Sequence, residues 1–158
     1  MKARMRLFLA VAVVATVTCG AVASAAERCE GRPGGAAVKL TVETASLRAA
    51  RGEVAVTVYP DDVRRFLARG GKLARVRTPA VAPVSRTCFW LPPGHYAVAV
   101  YHDEDGDRDF ARDALGRPVE GFGFSNDAPA RFGLPAFADV RFHLPAGGRT
   151  IRVKMRYR

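Results

Sequence analysis

Near its end the chain reads TIRVKMRYR, in which Ile151, Val153, Met155 and Tyr157 alternate without a break against Arg152, Lys154, Arg156 and Arg158. Successive side chains of a strand point to opposite sides of the pleat, so this period of two suits one buried face and one wet face, whereas a helix would scatter the same residues around its circumference. The pattern recurs. In AVKLTVET, Val38, Leu40 and Val42 oppose Lys39, Thr41 and Glu43, and in EVAVTVYP, Val54, Val56 and Val58 share one face. The intervening ASLRAARG ends in Gly52, which predicts a hairpin connection. In LPPGHYAVAVYHD the turn residues Pro92, Pro93 and Gly94 precede a run that is apolar on both faces, the mark of a central strand in a layered protein.

Weaker segments complete the set. TCFWL reads as a strand carrying Cys88 and Trp90, Leu73 to Arg77 as another, and TPAVAP as a connector. FADVRFHLP sets Val140, Phe142 and Leu144 on one side of a further strand. PDDVRRFLARGG places Val63, Phe66 and Leu67 at helical spacing before Gly70, which predicts one short helix at most. From His102 to Ala136 no period is sustained, and a loop that long in a compact domain is functional or disordered. The expectation is an all-β, single-domain β-sandwich of about seven strands, immunoglobulin-like or transthyretin-like, with one short helix and a long acidic loop.

The start of the chain has a different grammar. MKARMR carries Lys2, Arg4 and Arg6, an uncharged stretch follows, and AVASAA ends it with small residues. This is the pattern of a secretory signal peptide cleaved after Ala25, with Ser24-Ala25-Ala26 offering a second frame one residue later. A retained anchor is disfavoured because Thr18, Cys19, Gly20 and Ser24 suit lipid poorly, and Thr18 before Cys19 argues against lipidation. Cleavage removes three positive charges and lowers the net charge from +10 to +7 in residues 26–158. It leaves Cys29 and Cys88, which in an oxidising compartment are expected to form a disulfide. Export also argues against a nucleic-acid partner despite the basic balance, and no transmembrane segment remains after cleavage.

Against that basic background, YHDEDGDRDF is unusual. Asp103, Glu104, Asp105, Asp107, Asp109 and, a little later, Asp113 gather six of the fifteen acidic residues into eleven positions. In water each like-charged pair at about 6 Å costs roughly 0.7 kcal/mol before screening, so something should offset the crowding. A Ca²⁺ ion takes six to eight oxygens, and loops that wrap it offer carboxylates at alternate positions. Asp103, Asp105, Asp107 and Asp109 have that spacing and are the candidate metal ligands. An EF-type loop has Gly at its sixth position and Glu at its twelfth, where this chain has Arg108 and Ala114. The alternative is a solvated acidic loop tied to the chain's own arginines, such as Arg64, Arg65, Arg131 or Arg141.

The stretch from LPPGHYAVAVYHDEDGDRDF through LGRPVEGFGFSNDAPARFGLPAFADVRF to the closing amphipathic strand resembles a family of small secreted bacterial proteins, the domain of unknown function numbered 2141. The resemblance rests on His102-Asp103, on Asp105 and Asp107, on Gly116, Pro118, Glu120, Gly121, Gly123, Phe124, Ser125 and Asn126, and on Pro135 and Phe137. The chain departs from the family in carrying Asp105 and Asp107 where Asn is commoner, and Arg108 in place of Gly. A secreted β-sandwich is implied, with no established activity.

Other arrangements compete for the same residues. His102, Glu120 and Ser125 invite a hydrolase reading, with a base and a nucleophile but no G-x-S-x-G elbow to hold the serine. The glycines of EGFGFSN precede no helix that would cradle phosphate, and are expected to allow a tight turn with positive φ while Phe122 or Phe124 plugs the core. The cationic face of Arg152, Lys154, Arg156 and Arg158 suits an anionic envelope component or the charged blunting of an edge strand. The overall expectation is a non-enzymatic, monomeric binding or structural module of the cell envelope, periplasmic or secreted, stabilised by Ca²⁺. Polysaccharide recognition through the acidic loop and a hydrolase are the alternatives.

Overall fold

A computed structural model describes residues 28–130 and 133–157. The proposed leader, including Cys19, lies outside them, as do Arg131 and Arg158. Eight strands follow in order: β1 (Val38–Ala45), β2 (Glu53–Pro60), β3 (Ala74–Pro79), β4 (Val84–Leu91), β5 (Gly94–Asp103), β6 (Gly121–Phe124), β7 (Phe142–Leu144) and β8 (Arg149–Lys154). They form two sheets. The smaller runs β4-β1-β8, with β8 parallel to β1. The larger runs β3-β2-β5-β6, and β7 pairs with the start of the same edge of β5 that β6 continues.

The alternation seen in the sequence becomes the core between these sheets. Val54, Val56, Val58, Val98 and Val100 from the larger sheet meet Leu40, Val42, Phe89, Ile151 and Val153 from the smaller one. Branched side chains fill a pleated surface well, and each one fully buried contributes about 1.5–3 kcal/mol of transfer free energy. Cys29 and Cys88 are disulfide-bonded as expected, fastening the segment before β1 to β4 across 59 residues.

Four local expectations are corrected. The link ending in Gly52 is no hairpin: β1 pairs with β4 and β8 and β2 with β3 and β5, so this link crosses between sheets. The PDDVRRFLARGG segment forms only hydrogen-bonded turns, such as Arg65 N–H to Asp62 O, and Gly71 N–H to Ala68 O ends it within three turns. The helix is instead a single turn, α1 (Phe137–Val140), inside the stretch read as a strand. Val140 therefore faces away from Phe142 and Leu144 and joins a different apolar cluster.

The fourth correction concerns GFGF. These residues form β6, and neither glycine turns the chain. They make room for the end of β8 and the chain after it: a Cβ on Gly121 would lie 2.1 Å from the Tyr157 ring, and one on Gly123 would lie 2.7 Å from the Lys154 backbone carbonyl. Phe122 and Phe124 point to the outer face of the larger sheet. There they join Tyr59, Phe66, Ala97, Phe137 and Val140 in a second apolar cluster beneath the long connections.

Candidate metal centre

The acidic loop begins where β5 ends. Its first residue, Asp103, still pairs with Glu53 of β2, and Gly52 packs against it so closely that a Cβ there would lie 1.9 Å from the Asp103 carbonyl oxygen. Gly52 also has φ +68, a conformation that suits glycine. The backbone under the loop is thus clamped, and the Asp103 side chain is fully buried.

That carboxylate is densely bonded. Its Oδ2 accepts from Arg77 Nη1 at 2.9 Å and from the Arg108 N–H at 3.0 Å, and its Oδ1 accepts from the Gly106 N–H at 2.8 Å. Each carboxylate oxygen offers two lone pairs, so Oδ1 retains acceptor capacity. Arg77 holds the charge in place from β3, reaching across β2, and its other nitrogen reaches the Tyr101 hydroxyl and the Arg108 carbonyl.

The remaining carboxylates divide. Asp105 Oδ1 accepts from the Asp107 N–H at 3.2 Å, Asp107 Oδ1 from the Asp109 N–H at 2.7 Å, and Asp109 Oδ1 from the Phe110 N–H at 2.8 Å. These local bonds are the turn-forming habit of aspartate, and they bend the loop so that alternate side chains do not all converge. Glu104 leaves the group altogether, paired with Arg48 at 2.6 Å and Arg51 at 2.8 Å, and its pKa is lowered: those hydrogen bonds outweigh the opposing effect of burial. Arg64 and Arg141, named from the sequence as neutralising partners, bond Asp62 and Asp61 instead, and Arg65 reaches the Lys72 carbonyl. Arg48, Arg51 and Arg77 take that part.

Among the described residues, the acidic side chains that come together are Asp103, Asp105 and Glu120, with one oxygen of each within 4.8 Å of the others. Asp107 and Asp109 lie outside that group. Glu120 arrives from the far end of the loop, because β5 and β6 pair His102 with Gly121, and one further step along that register sets Glu120 opposite Asp103. Like charges directly opposite on paired strands repel. Glu120 is only 7% exposed; its Oε2 accepts from the Ala111 N–H at 3.1 Å, while Oε1 has no hydrogen-bond partner. Burial raises its pKa, and the charges of Asp103 and Asp105 raise it further, against the opposing backbone N–H groups of Ala111 and Glu104. Glu53 Oε2 also lacks a hydrogen bond, but it lies 3.8 Å from both the Arg77 and Arg108 guanidiniums. Among the described residues, no guanidinium compensates Glu120 in that way. The cluster opens into a small cavity of about 320 Å³ bordered by Arg48, Arg51, Glu104 and Val119.

The residues of the hydrolase reading are held apart by their own bonds. Ser125 is fully buried; its hydroxyl accepts from the Val98 N–H at 3.0 Å and lies 2.5 Å from the Val140 carbonyl, pinning the end of α1 to β5. His102 Nε2 lies 2.7 Å from the Arg51 carbonyl, which can only accept, so Nε2 carries the proton and Nδ1 accepts from the Tyr157 hydroxyl at 2.8 Å. His102 lies four residues along β5 from Val98, about 13 Å at strand spacing. Arg156 of the proposed cationic face bonds the Asp127 and Ala128 carbonyls, leaving Arg152 and Lys154 exposed beside it. No helix among the described residues is long and apolar enough to cross a membrane.

No curated protein and no solved structure matches the chain. The family model for DUF2141, described as an uncharacterised protein conserved in bacteria, matches residues 42–152, a span holding β2 to β7, half of β1, most of β8, the acidic loop and Glu120. The chain belongs to that family.

Proposed function

We propose that this chain is an exported, non-enzymatic β-sandwich module of the cell envelope whose acidic loop takes up Ca²⁺ through Asp103, Asp105 and Glu120. The observation that supports the reading is the buried Glu120 Oε1, left without a hydrogen bond beside two further carboxylates. A buried polar atom without a partner costs about 1–3 kcal/mol, and more when charged. A divalent cation removes that cost and the mutual repulsion together. Ligand oxygens at 2.3–2.6 Å on opposite sides of Ca²⁺ stand up to about 5 Å apart, so oxygens within 4.8 Å of one another can share one ion. Backbone carbonyls and water complete a sphere of six to eight, with the neighbouring cavity giving water access. The bound ion joins the start of the loop to its end and rigidifies the surface between them, while the leader of the sequence and the Cys29–Cys88 disulfide suit export.

Calorimetric titration of metal-stripped protein, residues 26–158, with Ca²⁺ tests the reading. Saturable heat and a rise in melting temperature reversed by EDTA are expected, with both lost in Asp105→Ala. No heat and no thermal shift in the parent protein sinks the ion site.

A further inference from the structure

The outer face of the larger sheet has a shape that its sequence explains. On β2 and β5 the inward positions are valines, while the outward positions at the centre are small: Ala55, Thr57, Ala97 and Ala99. Cross-strand register lines up Arg75, Thr57, Ala99 and Phe124 in one row and Arg77, Ala55, Tyr101 and Phe122 in the next. Small residues flanked by rings leave a trough. Phe110, 5.5 Å from Tyr101 and 6.1 Å from Phe122 between ring centroids, walls it on one side, and Leu67 and Leu134 contribute to the other walls. The result is a groove of about 610 Å³, within the roughly 300–1,000 Å³ typical of small-molecule sites.

Its charge is one-sided. Among the described residues, three arginines and no acidic residue line it. Arg117 is neutralised by Asp113 at 2.7 Å. Arg75 bonds the Thr57 hydroxyl at 2.7 Å, lies beside the Tyr59 hydroxyl and stands over the Tyr101 ring at 5.9 Å, and Arg112 bonds the Gly116 carbonyl while lying over the Phe110 ring at 5.0 Å. Neither has a carboxylate partner among the described residues. In a protein whose acidic loop attracts three other guanidiniums, two that remain unmatched beside an apolar trough are a complementary seat for an anion.

The geometry points to a binding site for a small anionic amphiphile: an aliphatic or aromatic body lying on Ala99, Tyr101 and Phe122, with one carboxylate or phosphate headgroup between Arg75 and Arg112. Guanidinium presents paired N–H donors that match either oxyanion, and the aromatic walls give the body its contact area. This site is independent of the ion reading, since it uses none of the three clustered carboxylates.

The test is titration of the protein with decanoate, decyl phosphate, decanol and decyltrimethylammonium below their micelle concentrations, in EDTA and again in Ca²⁺. Saturable binding of decanoate or decyl phosphate, tighter than decanol and with the cationic amphiphile weakest, is expected in both media, and the tighter anion identifies the headgroup. Arg75→Gln combined with Arg112→Gln should weaken the anion by about tenfold or more, the effect of losing hydrogen bonds to a charged group, while leaving decanol unchanged. Ala99→Phe should block all binding by filling the floor; if it does not fold, the arginine pair, both exposed, decides alone. Absence of saturable anion binding, equal affinity for the cationic amphiphile, or an arginine variant that binds the anion as before overturns the proposal. Loss of the Ca²⁺ response with the anion still bound would count against the ion site alone.

Discussion

Replacing Glu120 by glutamine separates the two consequences of crowding carboxylates. At 4.8 Å, a pair of unit charges repels by about 0.9 kcal/mol in water and about 3.5 kcal/mol at an effective dielectric of 20. The buried Asp103 repels Glu120 more than Asp105 does, but Arg77 partly compensates Asp103, and Asp105 is exposed and screened, so both fall short of the bare figure. A relief of about 1–3 kcal/mol follows, or roughly 3–10 °C in melting temperature for a domain of this size. Glutamine keeps an oxygen for the Ala111 N–H and adds donors toward the aspartates, so in EDTA Glu120→Gln is expected to be more stable than the parent. In Ca²⁺ the order reverses: the parent gains about 2.7 kcal/mol at a hundredfold excess over Kd, and the variant gains nothing.

The pH dependence has a fixed sign. Glu120 has its folded pKa raised above 4.5, so the folded state binds that proton more readily than the unfolded one. Its ionisation therefore lowers stability above the folded pKa, and that penalty is lost as the pH falls through it. In EDTA, the advantage of Glu120→Gln over the parent should shrink as the pH is lowered from 7 toward 4.5. Urea denaturation at several pH values, with and without Ca²⁺, reads all three effects. A Glu120→Gln variant that folds but is less stable than the parent in EDTA, or that keeps the Ca²⁺ shift, refutes the reasoning.

Further expectations concern the supports of the site. Arg77→Leu strands the fully buried Asp103 charge with only backbone donors, and a loss of about 3 kcal/mol in urea denaturation is expected, the lower end for a broken buried pair; a loss under 1 kcal/mol would show that Arg77 is dispensable. Gly121→Ala drives a methyl group into the Tyr157 ring, so it should cost about 1–3 kcal/mol and disturb the His102–Tyr157 hydrogen bond, visible as a shifted imidazole NMR resonance; an unmoved resonance contradicts the packing. Reducing Cys29–Cys88 opens a link spanning 59 residues and should remove about 4 kcal/mol by loop-closure entropy, so coincident denaturation curves with and without dithiothreitol would contradict it.

The strands that bury one face against the core were legible because their pattern is local. Val54, Val56 and Val58, or Ile151 and Val153, announce the side they bury within a few residues. β6 was not legible: four residues with glycine at alternate positions carry no hydrophobic period, and those glycines answer to Tyr157 and Lys154, more than thirty positions away. The same reason separates the two halves of the candidate site. Asp103 and Asp105 stand out by spacing, whereas Glu120 joins them only through the β5–β6 register, which no local pattern encodes. Asp107 and Asp109 have the spacing, but their short side chains bond the backbone two or one residues ahead. Val140 misled because a single helical turn after Pro135 and Ala136 breaks the alternation just before Phe142.

The parallel seat of β8 beside β1 has a consequence for assembly. Ile151, Val153 and Met155 form part of the inner wall of the smaller sheet, yet they come more than a hundred residues after the strand they lie against. Until β8 has emerged and found its place, Leu40 and Val42 face an open side, and closing so long a loop is slow relative to local pairing. The nascent polypeptide is thus an unclosed box until β8 supplies its lid, and shortening it before Arg149 removes a wall rather than a tail.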